Sequence, residues 1–332
     1  MTRNTTLLFL MSDRSVPRAQ RRYRAVLWSV LLAAAGYLGF ALWSGWSDVV
    51  NAGTRVGVVG AAIALLLSLV NYALRFLRWQ AYLHAMHHPV PWLPSLKIYL
   101  AGFALTTTPG KAGEALRGVL LAHWGVPYPA SLAAFLSERL SDLLAVIILT
   151  LLGLTLNPKA GPIVAIAIAA VLTAFVLFCS AGLLMRVHGA IHGNSRLSMF
   201  LRSLIEILLQ ARRCHTPLLV IGASGLSLGA WFAEAWAFHL ILQWMGFEAP
   251  MTFAVFVYSI SMLTGALSFL PGGLGGTEAS MVASLIAGGV QPPEAIAATI
   301  VIRMVTLWFA VLLGLAFVVS ARKHQDDASR VA

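Results

Sequence analysis

The amino-acid sequence predicts an all-α polytopic membrane protein with about six spanning helices and two re-entrant, broken-helix hairpins related as an inverted repeat. Composition is the first observation behind this prediction: 59% of the 332 residues are hydrophobic and 11% are charged. That charged fraction is less than half of the share usual in soluble domains, so it cannot cover a water-exposed surface. The other two observations are apolar runs of spanning length and a repeated pattern of Pro, Gly, Glu and Arg.

Six apolar runs are long enough to cross a bilayer, which takes about 20 mostly apolar residues. They lie near 25–43, 56–77, 130–155, 161–184, 217–242 and 295–319. We assign 25–320 to a single transmembrane domain, with 1–24 and 321–332 as tails. Residues 196–213 alternate polar and apolar side chains at helical spacing, which predicts an amphipathic helix on the cytoplasmic interface.

Two further apolar regions, 95–125 and 251–289, contain turns that break a helix. The predicted turn residues are Pro109, Gly110 and Gly113 in the first region and Pro271, Gly272, Gly273, Gly275 and Gly276 in the second. Non-helical backbone at membrane depth is tolerated only inside protein or beside a wet cavity. We therefore expect each region to form a hairpin of two half-length helices whose turn faces the protein interior.

Basic residues set the predicted orientation, because cytoplasmic loops of membrane proteins are enriched in Lys and Arg. Five arginines precede the first span, namely Arg14, Arg18, Arg21, Arg22 and Arg24. If both hairpins return to the side that they enter from, the N-terminus, the region around Arg75 and Arg78, the segment 186–213 and the C-terminus are all cytoplasmic.

The hairpins begin two repeat copies, at about 95–155 and 251–319. The pattern Ala-Leu, three residues, Pro-Gly starts at Ala104 and again at Ala266. Glu114, Gly125 and Arg139 in the first copy match Glu278, Gly289 and Arg303 in the second. In the predicted topology the copies have opposite orientations, which is typical of transporters with a site near mid-membrane. The alternative is a chance similarity between two Gly/Ala-rich stretches.

Charged side chains in the predicted membrane region are the candidate site residues, since each costs about 2.5–3.5 kcal/mol to insert. The candidate substrate-binding residues are Lys111, Glu114, Arg117, Arg139, Asp142, Glu278 and Arg303, and Glu138 and Glu234 are further intramembrane charges. Arg139 and Arg303 could hold an anionic headgroup, because a guanidinium fork matches phosphate oxygens. The half-helix N-termini at the two turns favour an anion as well.

The carboxylates leave two interpretations open. Glu114, Glu278 and Asp142 could balance charge or carry protons. Alternatively, Glu114 with Arg139 and Glu278 with Arg303 are structural ion pairs that lock each hairpin to its span. Glu234 has no basic residue near it in sequence, so it needs a partner from another helix or a shifted pKa.

We find no catalytic motif and expect no enzymatic activity, metal or cofactor. His84, His87 and His88 lack an accompanying acidic or Cys ligand, which disfavours a metal site. The chain has no Walker A sequence and no basic patch on a soluble domain, which disfavours ATP-driven pumping and nucleic-acid binding.

Three segments together resemble one bacterial family: Pro109–Arg117, Glu138–Asp142, and Pro271–Glu278 with Arg303. They are similar to the flippase-like transmembrane domain of lysylphosphatidylglycerol synthases/flippases and its stand-alone relatives, and Arg75–Trp79 looks like that family's second span. The resemblance implies an inner-membrane protein that moves, or helps to move, a lipid between leaflets. Some relatives are linked to polyprenyl-phosphate sugar carriers or hopanoid pathways. No aminoacyl-transferase domain is present, so we expect the chain not to make lysylphosphatidylglycerol.

The leading expectation is therefore translocation of an anionic or phosphate-bearing lipid, whose headgroup would pass through a polar cavity between the hairpins. One alternative is a small-solute or ion secondary transporter, and another is an enzyme or accessory subunit of lipid-carrier or hopanoid metabolism. The expected partners are membrane lipids, anionic or polyprenyl-phosphate-linked, with a second copy or a lipid-biosynthesis protein as candidate protein partners.

Overall fold

The computed structural model describes residues 46–107, 112–154, 160–191, 195–268 and 270–318, together with 35, 36 and 39. These residues form eleven helices, which confirms the all-α prediction for the part of the chain they cover. In chain order the helices are α1 (Trp46–Ala85), α2 (Trp92–Ala101), α3 (Ala112–Ala122), α4 (Tyr128–Leu151), α5 (Gly161–Cys179), α6 (Ala181–Ala190), α7 (Arg196–Arg212), α8 (Pro217–Trp244), α9 (Met251–Leu267), α10 (Gly276–Ala287) and α11 (Pro292–Val318).

Three of the helices, α1, α8 and α11, are long and apolar enough to cross a membrane. They correspond to the predicted spans 56–77, 217–242 and 295–319. Helix α4 has 24 residues, enough for the predicted span 130–155, but it carries three charged residues in its middle. The predicted span 25–43 lies outside the described residues, except for the helical positions 35, 36 and 39. The tails 1–24 and 321–332 also lie outside them.

The predicted span 161–184 is interrupted, which corrects its boundary. Helix α5 ends at Cys179, and Ser180 leaves the helical conformation with φ −81° and ψ 36° before α6 begins. The Ser180 hydroxyl donates a hydrogen bond to the Val176 carbonyl at 2.6 Å. Thr150 makes the same kind of bond to Val146 inside the unbroken α4, so the hydrogen bond by itself does not explain the interruption.

The helical arms of both predicted hairpins are present. The first hairpin consists of α2, a 3-10 turn at Gly102–Leu105 and α3, and the second of α9, a 3-10 turn at Pro271–Gly273 and α10. In the first turn, Pro109, Gly110 and Lys111 lie outside the described residues, and Gly113 belongs to α3 rather than to the turn. In the second turn, Gly272, Gly273 and Gly275 have φ values of 63°, 68° and 87°, a region that only glycine adopts at no steric cost.

The two repeat copies end their half-helices in the same way. After α3 the Val126 amide donates to the Leu121 carbonyl at 3.2 Å, and after α10 the Val290 amide donates to the Leu285 carbonyl at 3.1 Å. The glycine before each valine has a positive φ, 75° in the first copy and 95° in the second. Both ends are therefore glycine-terminated helix caps, which is local structural support for the repeat.

Helix α7 agrees with the amphipathic helix predicted at 196–213. Ile205 and Ala211 are buried against the rest of the molecule, whereas Leu197 and Phe200 are exposed. Its position on a membrane surface remains a prediction.

Helix α8 is central to the packing, because it lies along α1 and also contacts α4, α9 and α11. Small buried residues such as Ala223 and Ala230 let these backbones approach closely. Asn71 of α1 donates a hydrogen bond to the Ala230 carbonyl at 2.8 Å. The centre of the fold therefore lies where elements of both repeat copies meet α8.

Candidate functional site

Asp142 on α4 is the centre of a buried charge cluster. Its Oδ2 accepts a hydrogen bond from Arg75 at 3.0 Å and lies 3.2 Å from Nη2 of Arg139. Its Oδ1 accepts hydrogen bonds from Arg78 at 2.6 Å and from the Trp231 indole at 3.1 Å. One carboxylate thus joins α1, α4 and α8. The Arg139–Asp142 contact is the one that their spacing of three residues predicts.

Glu138 connects the first hairpin to the same cluster. It accepts a hydrogen bond from Arg117 of α3 at 3.1 Å, and Nη2 of Arg78 lies 3.7 Å away. The Arg117 guanidinium also lies 4.3 Å from the ring centroid of Tyr99 and 5.2 Å from that of Trp79. An arginine held by a carboxylate and by aromatic rings packs the hairpin against α4.

The cluster contains more positive than negative charge among the described residues. Four arginines, Arg75, Arg78, Arg117 and Arg139, accompany only two carboxylates, Glu138 and Asp142. The Nε atom of each of the four arginines is buried and has no hydrogen-bond partner among those residues. Buried donors of this kind are strongly favoured to find an acceptor, and an anion would supply both the acceptor and the missing charge.

Arg139 is the most accessible member of this arginine group, with 37% of its side chain exposed, whereas the Arg78 side chain is 0% exposed. Arg139 also lies over the Phe135 ring at 5.3 Å.

The second repeat copy carries its own ion pair at the hairpin turn. Glu278 accepts a hydrogen bond from Arg303 at 2.6 Å and another from the Gly275 amide at 2.7 Å. Arg303 in turn donates to the Gly272 carbonyl at 3.0 Å. The pair fastens the turn to α11, as the structural interpretation predicts. The Glu114 side chain of the first copy lies outside the description, so its predicted pairing with Arg139 stays a prediction.

The turns of the two hairpins are in contact. A β-carbon placed on Gly272 would lie 3.5 Å from the Thr106 carbonyl oxygen and 3.5 Å from Cγ2 of Thr107. Thr107 is buried, and its hydroxyl has no hydrogen-bond partner in the described structure. The sequence predicts a polar cavity between the hairpins, and in the described part of the turns Gly272 lies against Thr107 at this place.

The sequence predicts that the region around Arg75 and Arg78 is cytoplasmic, and the structure adds that both side chains form ion pairs within the fold. Both belong to α1, which continues to Ala85, eight residues beyond the predicted end of the span. Their charge is matched by Asp142 and Glu138, on a helix more than fifty positions away in the chain. Their spacing of three residues, which puts them on one helix face, is the signal that could have indicated a shared partner.

Glu234 on α8 takes its partner from another helix, as one of the two open interpretations requires. The Tyr258 hydroxyl of α9 donates a hydrogen bond to it at 2.6 Å. Glu234 is 6% exposed and lies outside the arginine cluster.

A groove of about 490 Å³ lies between the end of α1 and the start of α2, and its lining contains none of the charged cluster residues. It is lined mainly by apolar side chains such as Leu77 and Trp92, with Gln80 and His84 as polar members. The described residues contain no group of three His, Cys, Asp or Glu side chains that could hold a metal ion.

Comparison with known proteins gives a family and several distant relatives. The family described as "Lysylphosphatidylglycerol synthase TM region" matches residues 26–314. A UPF0104 membrane protein of Methanothermobacter thermautotrophicus is 25% identical over 322 residues, covering 90% of this chain and 93% of the relative. A UPF0104 membrane protein of Pyrococcus horikoshii is 20% identical over 311 residues, covering 85% of this chain and 92% of the relative. Because the family match spans residues 26–314 of the 332, the chain belongs to the lysylphosphatidylglycerol synthase TM region family of multi-pass membrane proteins.

Proposed function

We propose that this protein moves an anionic, phosphate-bearing lipid between the two leaflets of a bacterial inner membrane. The observation that carries the proposal is the excess of arginine over carboxylate, among the residues that the structure describes, in the cluster around Asp142. Guanidinium groups bind phosphate oxygens through paired hydrogen bonds, and four of them in one place suit a lipid headgroup. Membership of a family named after a lipid synthase's membrane region supports the same substrate class.

The path for the headgroup follows from the two hairpins. We propose that they enter from opposite faces as an inverted repeat, with both termini of the chain in the cytoplasm, so that their turns meet near mid-membrane. The contact between Gly272 and Thr107 then corresponds to a closed state. Separation of the turns would open a polar path to the arginines, while the acyl chains stay in the surrounding lipid.

The charged residues divide into two roles in this proposal. Arg139 receives the headgroup, because it is the most exposed of the cluster arginines and its partner Asp142 is shared with Arg75 and Arg78. The Glu278–Arg303 pair holds the second turn in shape while the hairpins move.

Reconstitution into liposomes tests the proposal directly. Exchange of fluorescent anionic lipids between leaflets should be faster with the protein than in empty liposomes. Arg139→Gln should slow the exchange about tenfold or more, because it removes a charge-assisted contact with the phosphate. Arg55→Gln is the matched control, since Arg55 is half exposed and contacts Glu294 far from the cluster in the chain. Exchange no faster than in empty liposomes across several anionic headgroups would overturn the proposal.

A further inference from the structure

Glu234 differs from the other buried acids of the described structure. Glu138, Asp142 and Glu278 each form an ion pair with an arginine. Glu234 is equally buried, yet no Lys or Arg nitrogen of the described residues lies within ion-pair distance of it. Its hydrogen-bond donor is the neutral Tyr258 hydroxyl, at 2.6 Å.

The arginines that act on Glu234 from neighbouring helices already have carboxylate partners. Arg75 of α1 is bound to Asp142 of α4 at 3.0 Å, and Arg303 of α11 is bound to Glu278 at 2.6 Å. The remaining ionisable groups that act on it are Asp142 of α4, whose negative charge disfavours a second carboxylate nearby, Tyr258 of α9, and Tyr72 of α1, whose hydroxyl donates to the Thr306 carbonyl at 2.6 Å. A buried carboxylate without a counter-charge is expensive, whereas a protonated carboxyl in the same place is not.

The position of Glu234 suggests that a proton bound to its carboxyl group could respond to movement of the neighbouring helices. Helix α8 packs against α4 of the first repeat copy and against α9 and α11 of the second. Helix α8 also lies along α1, so Glu234 is near two cations on different elements, Arg75 of α1 and Arg303 of α11 in the second copy. A rearrangement that brings either arginine to Glu234 favours the carboxylate, and the opposite rearrangement favours the proton-bound form.

We infer that Glu234 is a proton-binding site that couples lipid movement to proton movement across the membrane. In each cycle Glu234 takes up one proton from one side and releases it to the other, so no bond other than O–H forms or breaks. The coupling rests on the proposed lipid translocation, whereas the bound proton itself does not.

Infrared spectroscopy of the lipid-reconstituted protein tests the proton site without any transport assay. The C=O band of a protonated carboxyl should be present at neutral pH and lost in Glu234→Gln, which keeps an oxygen to accept the Tyr258 hydrogen bond. Glu294→Gln, a change of an exposed acid, should leave the band in place. Identical spectra for the native protein and Glu234→Gln would overturn the inference.

Coupling is then measured in liposomes with a gradient of one pH unit and the membrane potential clamped. One proton per lipid would enrich the lipid about tenfold in one leaflet. In Glu234→Gln the lipid should distribute evenly whether or not the gradient is present, and an enrichment equal to the native one would contradict the coupling. If the native protein exchanges lipid but distributes it evenly despite the pH gradient, the proposed coupling is wrong. If the native protein exchanges no lipid at all, the translocation proposal fails, while the infrared band still decides the proton site.

Discussion

At the scale of single residues, several arginines lie inside the fold, where water cannot solvate their charge. Asp142 supplies the negative charge that stabilises most of them. It accepts from Arg75, Arg78 and the Trp231 indole and pairs with Arg139. In a low-dielectric interior such a pair contributes little net stability, but removing one partner leaves the others uncompensated. Arg78 depends most on these carboxylates, because its side chain is fully buried between Asp142 and Glu138.

Asp142→Asn should therefore destabilise the fold by about 3–5 kcal/mol, the cost typical of breaking a buried ion pair. Thermal unfolding of the purified protein in detergent measures the change. Glu294→Gln is the matched control, because the Arg55–Glu294 pair is exposed and 3.6 Å long, and exposed pairs contribute about 0–1 kcal/mol. Equal melting temperatures for the two variants would show that the cluster is not held together by Asp142.

The candidate site was predictable from sequence only where its contacts are local or repeated. The spacing of Arg139 and Asp142 predicts their contact, and the repeated pattern of Glu and Arg predicts the pairing of Glu278 with Arg303. Arg75 lies near the end of the predicted span 56–77 and Arg78 just beyond it, where charge normally marks the membrane edge, so their positions do not point to an ion pair. Their actual partners come from a helix distant in sequence, which no single-chain pattern reveals.

At the scale of elements, the structure depends on helices and turns that approach each other closely. Gly314 of α11 packs against the backbone of Phe103 and Ala104 in the first hairpin, and a β-carbon there would overlap the Ala104 amide nitrogen. The span of the second copy thus lies directly on the hairpin of the first. Glycine at such a position allows two membrane segments to pack backbone to backbone.

Gly314→Ala should destabilise the protein by about 1–3 kcal/mol, because neither backbone can move aside to admit the methyl group. Gly222→Ala is the control. Gly222 also lies within a helix, α8, and a β-carbon there would meet nothing within 4 Å. The control should be neutral or slightly stabilising, since alanine favours a helix more than glycine does. Thermal unfolding measures the stability of both variants. If Gly222→Ala lost as much stability as Gly314→Ala, the close-packing explanation would be wrong.

The hairpins were predictable because Pro and Gly mark breaks strongly, and the positive φ values of Gly272, Gly273 and Gly275 explain the glycine-rich turn. The break at Ser180 was not predictable, since a serine within an apolar run is a weak signal. The contact between Gly272 and Thr107 was not predictable either, because it depends on how two distant hairpins pack.

At the scale of the whole molecule, the proposed inverted repeat requires two related halves, and α8 packs between their helices. Both halves end a half-helix with the same glycine cap before a long helix begins, at Val126 and at Val290. Their turns touch, and charged residues of both halves surround Glu234. If the halves have opposite orientations, a movement that opens one hairpin to its side of the membrane closes the other, which is what alternating access requires.

The sidedness of the two hairpin openings tests this central claim most directly. His123 and Gln291 are exposed residues beside the two glycine caps, so a cysteine at either position should be reachable from water. Single His123→Cys and Gln291→Cys variants, in a background with Cys179→Ala and Cys214→Ala, are treated with a membrane-impermeant thiol reagent in right-side-out vesicles. The account predicts that Gln291→Cys is labelled in intact vesicles and His123→Cys only after the membrane is opened. Labelling of both from the same side would contradict the inverted repeat and, with it, the proposed lipid path.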